Sequence, residues 1–225
     1  MKINKHTLNM LKNFSDINMS IEVKAGNVLR TVSVQKNILA QVEVETTFPQ
    51  DFALYEVNRF LGAVSLFEDP EFTFGEKAVK IGTDKHSLDY VYCDPSMIVT
   101  PPKENISLPT IEVEFKLIRE SLSQVLKAGN VLGTPEISIE SEGNGSNIFI
   151  KAMDVNNDSS DTFHINLGPS NYAEDKFQFV FKTENFKMIH VDYDVEISSK
   201  GIARFLYQNK LQYFIATESS SSFGG

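Results

Sequence analysis

Only one cysteine, Cys93, occurs in the chain, so no internal disulfide can form and a reducing compartment such as the cytoplasm is expected. Tryptophan is absent, and with seventeen phenylalanines present the aromatic filling of a core falls to Phe. No apolar run approaches the roughly 20 residues that span a bilayer. Nor does an apolar stretch follow Met1-Lys2-Ile3-Asn4-Lys5-His6 that would read as a signal peptide. The expectation is a cytoplasmic chain with no membrane partner. Positive charge is scarce as well: 21 Lys and Arg face 30 Asp and Glu, a net −9. At first sight that argues against nucleic acid, because phosphate binding runs on Lys and Arg. Net charge, however, says nothing about where the charges sit.

Catalytic patterns are missing too. The four histidines, His6, His86, His164 and His190, are scattered without a pair at metal-ligand spacing. The loop Asp154–Asp161 begins like a calcium loop, but Ser159 and Ile165 stand where such a loop needs Gly and Glu. Gly143-Asn144-Gly145 reads as a turn, since neither Lys-Ser/Thr nor a helix follows it. Cys93 has no partner motif, and Asp192 and Asp194 lie among many other surface acids. The expectation is no catalytic residue, no metal, no cofactor and no enzyme.

What the chain does have is organisation. Residues 4–17 place Leu8, Leu11 and Phe14 at helical spacing, and residues 56–67 do the same with Val57, Phe60, Leu61 and Val64. Short alternating or β-branched segments surround them at 20–24, 28–34, 38–44, 52–55, 71–74, 78–81 and 87–93. Residues 94–109 then carry four prolines, which excludes helix interior and central strand and marks a connector. Beyond it the order repeats. A strand at 111–115 leads into a predicted helix at 116–128, with Ile118, Leu122, Val125 and Leu126 on one face and Gly129 placed to end it. Strands are predicted at 136–140, 148–152, 162–167 and 177–181, a short helix at 183–190, and strands at 194–198, 202–207 and 211–217. This gives domains at 1–93 and 110–218, joined by the connector 94–109 and followed by a Ser/Gly tail, 219–225, expected to be disordered. A literal repeat, Lys24-Ala25-Gly26-Asn27-Val28-Leu29 and Lys127-Ala128-Gly129-Asn130-Val131-Leu132, falls between strands once and at a helix end once, and is read as coincidence.

Charge follows this organisation. Counted over 4–15, 56–67, 116–128 and 182–190, the helical segments carry net charges of +2, 0, +2 and +1, so everything else holds all of the excess acid. Lys5 and Lys12 share the face opposite Leu8 and Leu11, while Lys116, Arg119, Ser123 and Lys127 form a polar stripe opposite Ile118 and Leu122.

The duplicated unit resembles the sliding clamps. Met1-Lys2-Ile3-Asn4-Lys5, Leu11-Lys12-Asn13-Phe14, Tyr55-Glu56-Val57-Asn58-Arg59-Phe60-Leu61-Gly62 and Asp94-Pro95-Ser96-Met97-Ile98-Val99 all look like the clamps of T4-type bacteriophages, in collinear order from end to end. The resemblance implies an α+β clamp fold, two similar domains per subunit, each a β-sheet backed by two helices, closing as a homotrimer around duplex DNA. It places Lys5, Lys12, Lys116, Arg119 and Lys127 on the channel wall, and less directly Arg59, Lys182 and Lys187. It implies a partner-peptide pocket at Met97, Ile98, Val99, Phe214 and Ile215, used by a replicative DNA polymerase, and an ATP-dependent clamp loader in the host cytoplasm of an infected bacterium. The competing reading from another class is a β-rich phage tail or baseplate subunit, which would not need basic helix faces.

Overall fold

The computed structural model describes residues 1–102, 106–157, 159–169 and 175–224. Two compact units emerge, Met1–Glu104 and Asn105–Gly225. They divide inside the proline-rich connector, whose residues 103–105 lie outside those described.

The first unit runs α1 (Lys5–Ile17), β1 (Ile21–Val23), β2 (Gly26–Val32), β3 (Ile38–Phe48), β4 (Phe52–Leu54), α2 (Val57–Val64), β5 (Glu71–Phe74), β6 (Ala78–Gly82) and β7 (Ser87–Val91). α1 begins where the Thr7 N–H donates to the Asn4 side-chain oxygen at 2.8 Å, an N-cap that satisfies one orphan donor. Its buried positions Thr7, Met10, Leu11, Phe14 and Ile17 repeat at three- and four-residue spacing, which is why one face turns inward. β2 and β3 pair antiparallel, β1 pairs β4, and β5, β6 and β7 form an antiparallel meander. Phe48, Phe52 and Phe74 fill the space between these strands, their ring centroids 5.2–6.1 Å apart.

The second unit runs β8 (Val113–Leu117), α3 (Arg119–Leu132), β9 (Glu136–Ser141), β10 (Asn147–Met153), β11 (Phe163–Pro169), β12 (Phe177–Lys182), a 3-10 turn at Thr183–Asn185, β13 (Tyr193–Ser198), β14 (Ile202–Tyr207), β15 (Leu211–Ala216) and β16 (Ser222–Phe223). One antiparallel sheet has the order β11-β10-β9-β12-β16, and β15-β14-β13-β8 run side by side in the other. Phe181, Phe186, Phe205 and Tyr193 interlock edge to face at centroid distances of 5.8–6.3 Å. Tyr193 is buried, which pushes its phenol far above the ordinary range, and its O–H donates to the Ile189 carbonyl at 2.6 Å.

Five sequence expectations are corrected by the fold. The helix expected at 183–190 is a single 3-10 turn, because Phe186 leaves helical geometry (φ −78°, ψ 48°) to pack its ring between Phe181 and Phe205. Lys116 is not helical: β8 continues to Leu117, whose wholly buried side chain keeps the strand's alternation, and Lys116 pairs in register with Asp194. Ile118, expected on the buried face, is instead the residue preceding α3 and half exposed; the Arg119 N–H there donates to Asp192 Oδ1 at 2.7 Å. The tail is not without structure, since Ser222–Phe223 pair with Phe177–Gln178 and Phe223 stacks on Phe179.

The fifth correction concerns the end of α3. Gly129 is buried inside α3, and Gly133, at φ +69°, supplies the left-handed cap. A Cβ at Gly129 would meet Thr134, Ala152 and Thr183 side-chain atoms at 3.4–3.6 Å, ordinary contact distances. Gly129→Ala is therefore expected to stabilise the protein by about 0.5–1 kcal/mol, and Gly133→Ala to destabilise it by a similar or larger amount. Urea unfolding of both variants decides the matter; equal signs would remove the distinction.

Candidate functional site

Five of the eight basic residues expected on a shared surface do lie on helices and are exposed: Lys5 and Lys12 on α1, Arg59 on α2, and Arg119 and Lys127 on α3. With the observed boundaries each of the three helices carries one net positive charge, Asp16 and Glu120 offsetting one lysine or arginine each. Lys116, Lys182 and Lys187 are exposed but not helical: the first is in β8, the second ends β12 and the third follows the 3-10 turn.

Their surroundings differ. Lys12 Nζ donates to Asn58 Oδ1 at 2.9 Å, and Ser15 Oγ donates to the same oxygen at 3.0 Å, tying α1 to α2. Arg59 approaches Glu56 only loosely, at 3.9 Å. Lys116 lies 3.4 Å from Asp194, an exposed pair worth at most about 1 kcal/mol. Lys127 and Lys182, far apart in sequence, line one cleft of about 900 Å³ beside the C-terminal half of α3. The cleft also brings His190 to Ser123, with the hydroxyl 2.9 Å from the ring Nδ1. No local spacing signals that pair, since 67 residues separate the two.

The partner-peptide residues fall in both units, Met97, Ile98 and Val99 in the first and Phe214 and Ile215 in the second. Met97, in the 3-10 turn Pro95–Met97, is 65% exposed, and Ile98 and Val99 are half-buried, the Val99 carbonyl accepting from Asn18 Nδ2 at 3.3 Å. Phe214 and Ile215 are buried in β15 and present no side-chain surface, so they are withdrawn from the candidate pocket. In the acidic loop, Asp154 and Asn157 accept hydrogen bonds from the backbone N–H groups of Asn156 and Ser159, two tight turns; Asp158 lies outside the described residues.

Two sheet edges went unassigned in the sequence. The outer side of β7 and the outer side of β11 have no backbone partner among the described residues. On both strands exposure alternates, and the inward residues Leu88 and Tyr90, and Phe163, Ile165 and Leu167, are only half-buried. The opposite edges are covered. The Met1 ammonium donates to the Phe72 carbonyl and the Phe72 N–H to the Met1 carbonyl, at 2.8 and 2.7 Å, along β5, and β16 covers β12. No helix among the described residues is long and apolar enough to cross a membrane.

Comparison with known proteins fits this architecture. Residues 2–99 match the DNA polymerase processivity factor family, and residues 114–219 match the C-terminal domain of the gp45 sliding clamp. The sliding clamp of Vibrio phage KVP40 is 36% identical over 223 residues, covering 97% of this chain and all of the relative. That of Enterobacteria phage T4 is 30% identical, covering 99% of each chain. Among solved structures, the A. fulgidus PCNA bound to the C-terminal region of FEN-1 superposes with a TM-score of 0.69 at 13% identity, covering 96% of each chain. An H. pylori beta clamp gives 0.68 at 12% identity, covering 94% of this chain and 63% of the other. Two matched domains spanning nearly the whole chain, and relatives of the same length, show that it belongs to the family of phage sliding clamps, the DNA polymerase processivity factors.

Proposed function

We propose that three copies of this chain close head to tail into a ring around duplex DNA and hold a replicative polymerase there, without performing chemistry. The observation that carries the reading is the pair of unpaired edges: β7 in one copy and β11 in the next each need a backbone partner and cover for half-buried apolar residues. The exposed basic residues of α1, α2 and α3 would face the duplex and meet its phosphates without reading bases, so that the ring slides. Lys182 joins them beside α3, and Lys187 is kept as a channel candidate; Lys116 is the weakest of the eight because Asp194 already neutralises it.

The exposed Met97, with Ile98 and Val99, is the surface we assign to a terminal peptide of the polymerase, whose tethering raises its effective concentration at the primer end. An ATP-dependent loader would open the ring, and the site of action is the cytoplasm of the infected bacterium. A tail or baseplate subunit would have no use for basic helices and is disfavoured by the family match.

Light scattering across a dilution series tests assembly, with a species near three times 25.3 kDa expected. Retention on nicked circular DNA, with escape once the circle is cut, tests encirclement. A monomer at every concentration would overturn the ring, and equal loss from circular and linear DNA would overturn the topological hold.

A further inference from the structure

We propose that the outer edge of β12 is a docking site for an extended segment of a partner protein, one that brings a phenylalanine to the place the chain's own tail now fills. The inference stands apart from the ring and from the surface at Met97–Val99. The tail lies along β12 as a stand-in strand. Ser222 and Phe223 pair with Gln178 and Phe177, and the Gly224 N–H donates to the Lys176 carbonyl at 3.0 Å. Further along, the Glu218 N–H donates to the Val180 carbonyl at 2.7 Å, while the Val180 N–H donates to the Ser221 hydroxyl oxygen at 2.9 Å. Phe223 stacks on Phe179, with centroids 6.2 Å and planes 22° apart, and Phe179 in turn packs on Phe177 at 5.5 Å.

This cover is lightly built. Only two of its residues pair in register, and one ladder donor, the Val180 N–H, is met by a side-chain hydroxyl instead of backbone. Ser219, Ser220, Ser222 and Gly224 are exposed, and Phe223 is half-buried. Serine and glycine give up much backbone freedom on ordering and bury little apolar surface in return. Such a segment opens locally while the sheet behind it stays folded. What lies beneath is firm: β12 pairs with β9 over all six residues from Phe177 to Lys182, so its edge keeps its shape when the tail leaves. Among the described residues no other strand borders that side of β12, and the buried rings of Phe177 and Phe179 need a cover. An open edge beside an aromatic recess has the chemistry of strand addition, in which backbone bonds supply affinity and the recess selects a side chain. The tail itself shows which side chain fits. Tethered by a few residues, it competes at an effective concentration in the roughly millimolar range. Free peptides are thereby held off, while a partner already bound to the same protein competes on equal terms.

The test uses a peptide with the sequence of residues 219–225, labelled with fluorescein at its N-terminus and followed by anisotropy. It is titrated with the full chain, with a chain ending at Glu218, and with the full-length variant Phe223→Ala. The shortened chain and the variant are expected to bind it at least about tenfold more tightly than the full chain, because an anchored tail no longer competes. A probe carrying Phe223→Ala is expected not to bind. A probe carrying Ser220→Thr and Ser222→Val, which keeps the phenylalanine and favours an extended backbone, is expected to bind at least as well as the native sequence. Failure of that altered probe, with the native one bound, would make the site private to the tail and overturn docking of a foreign segment. No binding to either altered protein, each shown folded by cooperative urea unfolding, would overturn the site itself. The Phe223→Ala variant, which keeps every backbone group, decides alone if the shortened chain does not fold. Equal binding by all three proteins would put the probe elsewhere and overturn the assignment to β12. None of these outcomes bears on the ring, whose test is the scattering mass.

Discussion

Val91→Lys is expected to abolish the ring: scattering mass falls to the 25.3 kDa monomer and retention on nicked circular DNA disappears. Val91 ends β7 and is 68% exposed, so the substitution removes no core contact and should change the monomer's stability by no more than about 0.5 kcal/mol. Its effect falls on assembly. A lysine on an open strand edge is the usual means of preventing edge-to-edge pairing, since its charge cannot be buried against a second strand. Symmetry multiplies the damage, because every junction of a closed ring carries the same change. Val91→Ile, which keeps the apolar edge, should assemble like the wild type. A trimeric Val91→Lys protein at wild-type concentrations would show that other surfaces hold the subunits together.

Phe205→Ala carries the largest expected cost to folding. Phe205 is wholly buried in β14, with its ring 6.3 Å from Phe181, 5.8 Å from Phe186 and 6.1 Å from Tyr193. Truncating a phenylalanine at such a site typically loses about 3–5 kcal/mol, the transfer term plus the cavity left behind. That is a large part of the roughly 5–15 kcal/mol that holds a domain together. Urea unfolding should therefore show the midpoint of the second unit falling sharply. A loss below about 1.5 kcal/mol would mean that the neighbouring rings collapse into the gap, and that the aromatic cluster is not the keystone of this unit.

Much of this architecture was readable residue by residue. The strands showed themselves through alternation, as at β10, where every second residue from Ile148 is buried, and α1 through its inward row of apolar side chains. The connector announced itself through its prolines. What sequence could not show was decided at a distance. The start of α3 depends on Asp192, 73 residues away, whose carboxylate receives the Arg119 N–H, so Lys116 was wrongly assigned to the helix. Two glycines four residues apart could each have ended α3; the first stays buried within the helix and the second, at φ +69°, ends it. The turn at 183–185 loses its helix to the ring of Phe186, a competition between short-range propensity and tertiary packing that a segment so short cannot win. The lone Phe223 in a run of serines was the available hint that the tail binds something. Of the candidate site, the residue types were legible, but not the meeting of Lys127, Lys182, Ser123 and His190 in one cleft.

The two covered edges have a consequence for how such subunits add together. Met1 occupies the outer side of β5 and β16 that of β12, so each of these two sheets offers a single adhesive strand. Counting these two open edges alone, the monomer is bifunctional in the language of polymer chemistry, and the two functions are unlike. Bifunctional units with unlike ends can only extend or cyclise; they cannot branch or gel. At low concentration cyclisation wins, because the last bond forms within one molecule. In the ring proposed above, covering one edge of each of these two sheets would thus favour closed, countable species over branched ones.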